Sequence, residues 1–187
     1  MDLFEKRRSI RTYTGRPVPD DVLHQLIEAA RLAPSGNHTQ PWYFIAVRSE
    51  EMKQKIVKAD HDQAWMMGAP LFLVCVADGY VRLKDESIEL DEETPYKGQK
   101  LVLRDTAIAT EHVVLKAAEL GLGTCWTGYF SQKEMKEILG IPKDKHVVAV
   151  LTVGYPAEEP KPKARKSAEE ILMYERWGNT KPETGRP

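Results

Sequence analysis

Cysteine is scarce in these 187 residues. Cys75 sits inside an apolar run and Cys125 lies far from it, with no CxxC and no histidine at ligand spacing beside either. That pattern argues for two reduced, buried thiols rather than a disulfide framework. The five histidines are scattered and form no H-x-x-x-H pair, so a metal site finds no support. No apolar run approaches the length needed to span a bilayer. The opening MDLFEKRRSIR carries charge where a secretory signal needs apolar residues, so a cytoplasmic protein without a membrane partner is expected. An excess of one charge sign is missing as well. Lys+Arg number 27 against 28 Asp+Glu, leaving a net charge of −1 and no global field to draw the chain onto nucleic acid. Internal repeats and low-complexity tracts are absent, and the length suits one domain, expected over 1–177, with 178–187 as a flexible tail.

What is present reads as alternating elements of both kinds. After a short basic helix ending near Arg8, residues 19–32 carry Leu23, Leu26, Ile27 and Ala30 at helical spacing behind Asp20 and Asp21. Residues 50–59 predict a second helix and 101–120 a long one, with apolar residues on more than one face, as a helix buried centrally or at a subunit contact would have. Ser131 opens another, which Gly140 ends. Residues 42–47, 70–77 and 146–155 are rich in β-branched, aromatic and aliphatic side chains over strand lengths. Residues 79–100 are strongly charged, weakly periodic and long for a connection, and predict a mobile excursion acting as a lid.

Four segments carry the chemistry. Arg7, Arg8, Ser9 and Arg11 put three guanidinium groups and a hydroxyl within five residues, a cluster suited to bidentate recognition of phosphate. Lys161, Lys163, Arg165 and Lys166 follow the last strand and could converge on the same anion. Either cluster alone reads more readily as solvated surface charge. The loop Ala33-Pro-Ser-Gly-Asn-His-Thr-Gln-Pro41 offers small and amide side chains to a polar heterocycle, held in shape by its prolines. Gly121-Leu-Gly-Thr-Cys-Trp-Thr-Gly128 superficially suggests a dinucleotide fingerprint, but the helix precedes the glycines instead of following them, which rejects a Rossmann reading.

In this order, RRSIR, APSGNHTQPW, GLGTCWTG and VGYP…KPKAR, the segments resemble the nitroreductase family of FMN-dependent enzymes over nearly the whole chain outside the excursion and the tail. The resemblance implies an α+β fold with a mixed central β-sheet flanked by helices, built as an intertwined homodimer whose carboxy-terminal segment reaches over the partner. It implies FMN as cofactor, NADH or NADPH as co-substrate, and hydride transfer through flavin N5 to small acceptors such as nitroaromatics or quinones, with no catalytic side chain. Arg7, Arg8 and Ser9 would bind FMN, with Arg7 nearest the phosphate and Arg11 at the pyrimidine edge. Lys163 and Arg165 would complete the phosphate site. Pro34, Ser35, Gly36, Asn37, His38 and Gln40 would meet the partner subunit's flavin. Thr127 and Gly128 would face N5 and O4, beside Cys125 and Trp126. A further contact falls somewhere in 61–63, and Tyr80, Tyr96 and Trp126 would wall the acceptor space. Related flavoproteins that dehalogenate substrates, which grip an amino acid with Glu, Tyr and Lys, and a non-catalytic flavin-storage protein are the alternatives.

Overall fold

The computed structural model describes residues 2–92 and 97–181. Its centre is the apolar run LFLVCVAD, which forms strand β2 (Leu71–Asp78) and is buried along its whole length. Successive side chains of a strand point to opposite faces, so an unbroken apolar run implies cover on both. Phe72, Val74 and Val76 face one core, with Ile56, Val57, Met135 and Ile141; Leu71, Leu73 and Cys75 face the other, with Leu26, Ala30, Val113 and Ala117. The first core is roofed by α3 (Glu50–Ala59) and α6 (Gln132–Leu139), and the second by α2 (Asp20–Arg31) and α5 (Lys97–Glu119). Ser49 and Ser131 cap α3 and α6, each side chain accepting from a backbone N–H, and Gly140 closes α6 in the left-handed conformation.

The sheet order is β1-β2-β4-β3, where β1 is Trp42–Val47, β3 is Gly123–Thr127 and β4 is Lys145–Gly154. All three pairings are antiparallel. The four-stranded sheet itself is therefore antiparallel, and the parallel contact from Ser9 to Thr124 is an isolated bridge outside its strands. Strand β3 goes beyond the sequence reading, which saw only glycines ending a helix. Gly123 begins it because the amino-terminal segment crosses there: an added Cβ would meet Ile10 Cγ1 at 2.5 Å.

Residues 79–100 form more than a free excursion. They include the short helix α4 (Tyr80–Leu83), and 97–100 are the first turn of α5. Between them Leu90 is fully buried, its N–H donating to Lys143 O at 3.0 Å and its carbonyl accepting from Lys136 Nζ. Glu92 accepts from Gln132 N–H at 2.7 Å. The Leu90 side chain and these hydrogen bonds tie the described part of the charged stretch to α6 and its exit loop. Tyr96, a candidate wall residue, lies outside the described residues, as does 182–187 of the expected tail. The short α1 (Leu3–Lys6) and α7 (Ala168–Ile171) complete the helices. Among the described residues, no helix is long and apolar enough to cross a membrane.

Candidate functional site

The extended segment after α1 is held between two parts of the sheet. Ile10 N–H donates to Thr124 O at 2.9 Å on one side; on the other, Thr14 N–H donates to Tyr155 O and Ala157 N–H to Thr12 O at 3.0 and 2.9 Å. Tyr13 is buried beneath the segment, its hydroxyl 2.6 Å from Ile10 O and 2.7 Å from Thr152 Oγ1. Burial raises its pKa above the usual phenol range, so it acts as a neutral strut. These pairings carry the residues just before Ile10 and just after Ala157 to the same place.

There they line one cleft of about 760 Å³. Arg7, Arg8, Ser9 and Arg11 contribute from the first cluster, and Lys161, Lys163 and Arg165 from the second, with Phe4, Pro160 and Glu158 between them. The two sequence clusters thus form one cationic site. Its volume is within the usual range for cofactor pockets, and its donors suit a phosphate, since guanidinium groups bind that anion in a bidentate manner.

Glu158 was not singled out in the sequence, where it reads as a stray acid beside a basic run. Its Oε1 accepts from the backbone N–H of Arg11 at 2.5 Å and of Thr12 at 2.9 Å, so it fixes the main chain that presents the Arg11 guanidinium. The guanidinium lies over the Trp65 ring, 5.5 Å from its centroid, a cation–π distance. Trp65 Nε1 donates to Gln63 Oε1 at 3.1 Å, Gln63 Nε2 to Thr127 Oγ1 at 3.0 Å, and Thr127 Oγ1 to the fully buried Asp60 Oδ2 at 2.5 Å. This one-way chain links the 61–63 segment to β3 and selects Gln63 as its bonded member. His61 and Asp62 adopt left-handed backbone conformations at φ 56° and 54°, and His61 stacks on the exposed Tyr129 with centroids 4.1 Å apart. Such strain in two adjacent non-glycine residues is characteristic of functional loops.

On β3, Cys125 and Thr127 point inward while Trp126 is 40% exposed. Burial raises the Cys125 thiol, an effect that Arg11 and Ser9 partly offset, and raises Cys75 to about 12, so neither is a ready nucleophile.

The loop 34–40 does not line this cleft. It leaves α2, makes one 3-10 turn at Gly36–His38, and holds Asn37, His38 and Gln40 at positive φ. Ser35 Oγ accepts from Gln40 N–H at 2.9 Å, and His38 Nε2 lies 3.2 Å from Gln40 Nε2. Pro34, Gly36, Asn37, His38 and Gln40 are exposed on an ordered projection. Among the described residues, no group of three or more His, Cys, Asp or Glu gathers as a metal site.

Known proteins resemble this chain in sequence and fold. FMN reductase [NAD(P)H] of Bacillus subtilis is 35% identical over 182 residues, covering 92% of this chain and 72% of that protein. The crystal structure of a nitroreductase family protein from Clostridium difficile 630 superposes with a TM-score of 0.78 at 30% identity, covering 94% of this chain and 99% of the other. An FMN-dependent nitroreductase from Clostridium difficile R20291 superposes at 0.77 with 26% identity over 94% and 98% of the two chains. The sequence model of the nitroreductase family matches residues 4–155, which include the first cationic cluster, the 34–40 loop and all four strands. The chain belongs to the nitroreductase family.

Proposed function

We propose that the protein is an NAD(P)H-dependent flavin oxidoreductase that holds FMN in the cationic cleft and works as a homodimer. The observation that carries this reading is the convergence of Arg7, Arg8 and Arg11 with Lys163 and Arg165 on one cleft. The family membership and the similarity to an FMN reductase support it.

In this assignment Arg7, Arg8 and Ser9, with Lys163 and Arg165, hold the phosphate. Charged hydrogen bonds of this kind are each worth about 1.5–3 kcal/mol. When bound, FMN supplies a two-electron carrier that takes a hydride from NADH or NADPH and delivers it to a small acceptor such as a nitroaromatic or a quinone. Arg11, steadied by Glu158 and Trp65, sets a fixed positive charge at the pyrimidine edge, where negative charge accumulates on reduction. Thr127 and Gly128 would present backbone groups to the reactive edge. Cys125 lies next to Trp126 on β3, close enough to Ser9 and Arg11 for both to act on its thiol, and Trp126 would border the acceptor space. The exposed loop from Pro34 to Gln40 would reach the partner subunit's flavin.

Visible spectroscopy of the purified protein, identification of the released flavin and anaerobic addition of each nicotinamide test the reading together. The expected result is a yellow protein that releases FMN and is bleached by NADH or NADPH. A protein that binds no FMN, or a yellow one that neither donor bleaches, overturns it.

A further inference from the structure

Gly36 lies at the start of the exposed loop, and both of its peptide polar groups are held by side chains from other elements. Its N–H donates to Asp105 Oδ2 at 3.1 Å, and its carbonyl accepts from Arg82 Nη2 at 2.7 Å. Arg82 belongs to α4 and Asp105 to α5, and the two lie 3.7 Å apart with side chains only 16% and 10% exposed. The fit is close at position 36, where an added Cβ would stand 2.5 Å from Arg82 Nη2 and the guanidinium would have to shift. The glycine φ is not in the left-handed region, so the backbone itself would accept alanine. A side chain at position 36 would therefore act by pushing the guanidinium aside.

Beyond this junction the loop is strained, with Asn37 at φ 54°, His38 at 55° and Gln40 at 46°. A non-glycine residue in that region costs roughly 1–3 kcal/mol and persists only when its surroundings over-determine it. Three such residues within four positions need an external anchor, and the buried Arg82–Asp105 pair supplies one.

We propose that Arg82 and Asp105 are positioning residues that clamp Gly36 and so set the loop's shape before it meets the partner subunit's flavin. The clamp gives the segment around α4 a task different from covering the acceptor: it tunes cofactor affinity through the loop. This rests on the reading of the loop as part of a shared FMN site, but the clamp itself can be measured without FMN.

Amide hydrogen exchange on the flavin-free full chain is compared for the native protein, Arg82→Met, Gly36→Ala and the double variant, alongside FMN titration by flavin fluorescence quenching. Arg82→Met is expected to speed exchange at Gly36, His38, Thr39 and Gln40 at least tenfold while β2 and α5 stay protected, and to weaken FMN binding by about tenfold, equivalent to 1.4 kcal/mol. Gly36→Ala should do the same by displacing the guanidinium. The double variant should be no worse than the worse single one, because removing the guanidinium also removes the clash. Unchanged loop exchange in Arg82→Met, or losses that simply add in the double variant, would overturn the clamp. If loop exchange responds as expected but the native protein binds no FMN, the clamp stands and the flavin assignment fails. Unprotected β2 amides in Arg82→Met would make Gly36→Ala, which alters neither clamp residue's identity and only displaces the guanidinium, the deciding variant.

Discussion

The Glu158 carboxylate accepts a hydrogen bond from the backbone N–H of Arg11 at 2.5 Å, across 147 positions of sequence. An acid within a cationic cleft would ordinarily weaken it as an anion site. Here the carboxylate is spent on two peptide N–H groups, those of Arg11 and Thr12, and holds together the two strands of chain that carry the cations. Glu158→Ala should therefore weaken FMN binding despite removing a negative charge, by about tenfold if the two bonds are worth roughly 1–2 kcal/mol net. Glu158→Gln, which keeps the acceptor oxygen, should fall between it and the native protein. Tighter FMN binding in Glu158→Ala would mean that the charge matters more than the geometry.

Arg11 is assigned an electronic task. Arg11→Met should lower the midpoint potential of bound FMN by about 30 mV or more, the value for a tenfold loss in a two-electron couple. Redox titration against dyes measures it. A potential that stays the same or rises counts against a guanidinium at the pyrimidine edge.

Gly123 makes a prediction about stability. With Ile10 Cγ1 only 2.5 Å from the site of a Cβ, Gly123→Ala should cost about 1–3 kcal/mol, as overpacking does. Since the two side chains would share one space, Gly123→Ala and Ile10→Ala should be less destabilising together than their sum. Urea unfolding of the two single variants and the double variant checks this, and strict additivity would contradict the close crossing.

His146 makes the protein sensitive to acid. Burial, reinforced by the neighbouring Lys136 ammonium, lowers its pKa from 6.5 to about 4, with Glu92 and Asp91 opposing. The folded protein keeps this imidazole neutral where the unfolded chain takes up a proton. The contribution is complete above pH 6.5, falls as pH drops, and is gone by about pH 4, a loss of up to about 3 kcal/mol. His146→Gln should flatten the pH dependence of stability in that window. An unchanged slope would locate the acid sensitivity elsewhere.

Long-range pairing marks the boundary of what the sequence disclosed. The runs 42–47, 70–77 and 146–155 could be read as strands because each is apolar over a strand length, and the observed strands match them within a residue. The segment GTCWT could not, since it has a glycine start and a single aromatic that faces outward, and becomes a strand only by pairing with β4 and receiving Ile10 across Gly123. Leu90 was invisible as an anchor because one leucine among charged neighbours has no periodicity, and its burial depends on Lys136 and Lys143 arriving from elsewhere. The cationic residues of the site stood out by density, Arg7, Arg8 and Arg11 on one side and Lys161, Lys163 and Arg165 on the other. Their supports did not. Glu158, Asp60 and Trp65 are ordinary residue types whose roles arise from contacts, and nothing local distinguishes Gln63 from its neighbours until Thr127 and Trp65 bond it.

The gathering of cations from both ends of the chain onto one phosphate is tested most directly by comparing FMN with riboflavin, which differs only in lacking that phosphate. Binding to the flavin-free native protein, Arg7→Ala, Lys163→Ala and Arg165→Ala is measured for both ligands. The native protein should prefer FMN by at least about a hundredfold, or roughly 2.7 kcal/mol, and each substitution should erode that preference while leaving riboflavin affinity nearly unchanged. Equal native affinity for the two ligands, or substitutions that weaken both alike, would contradict the assignment.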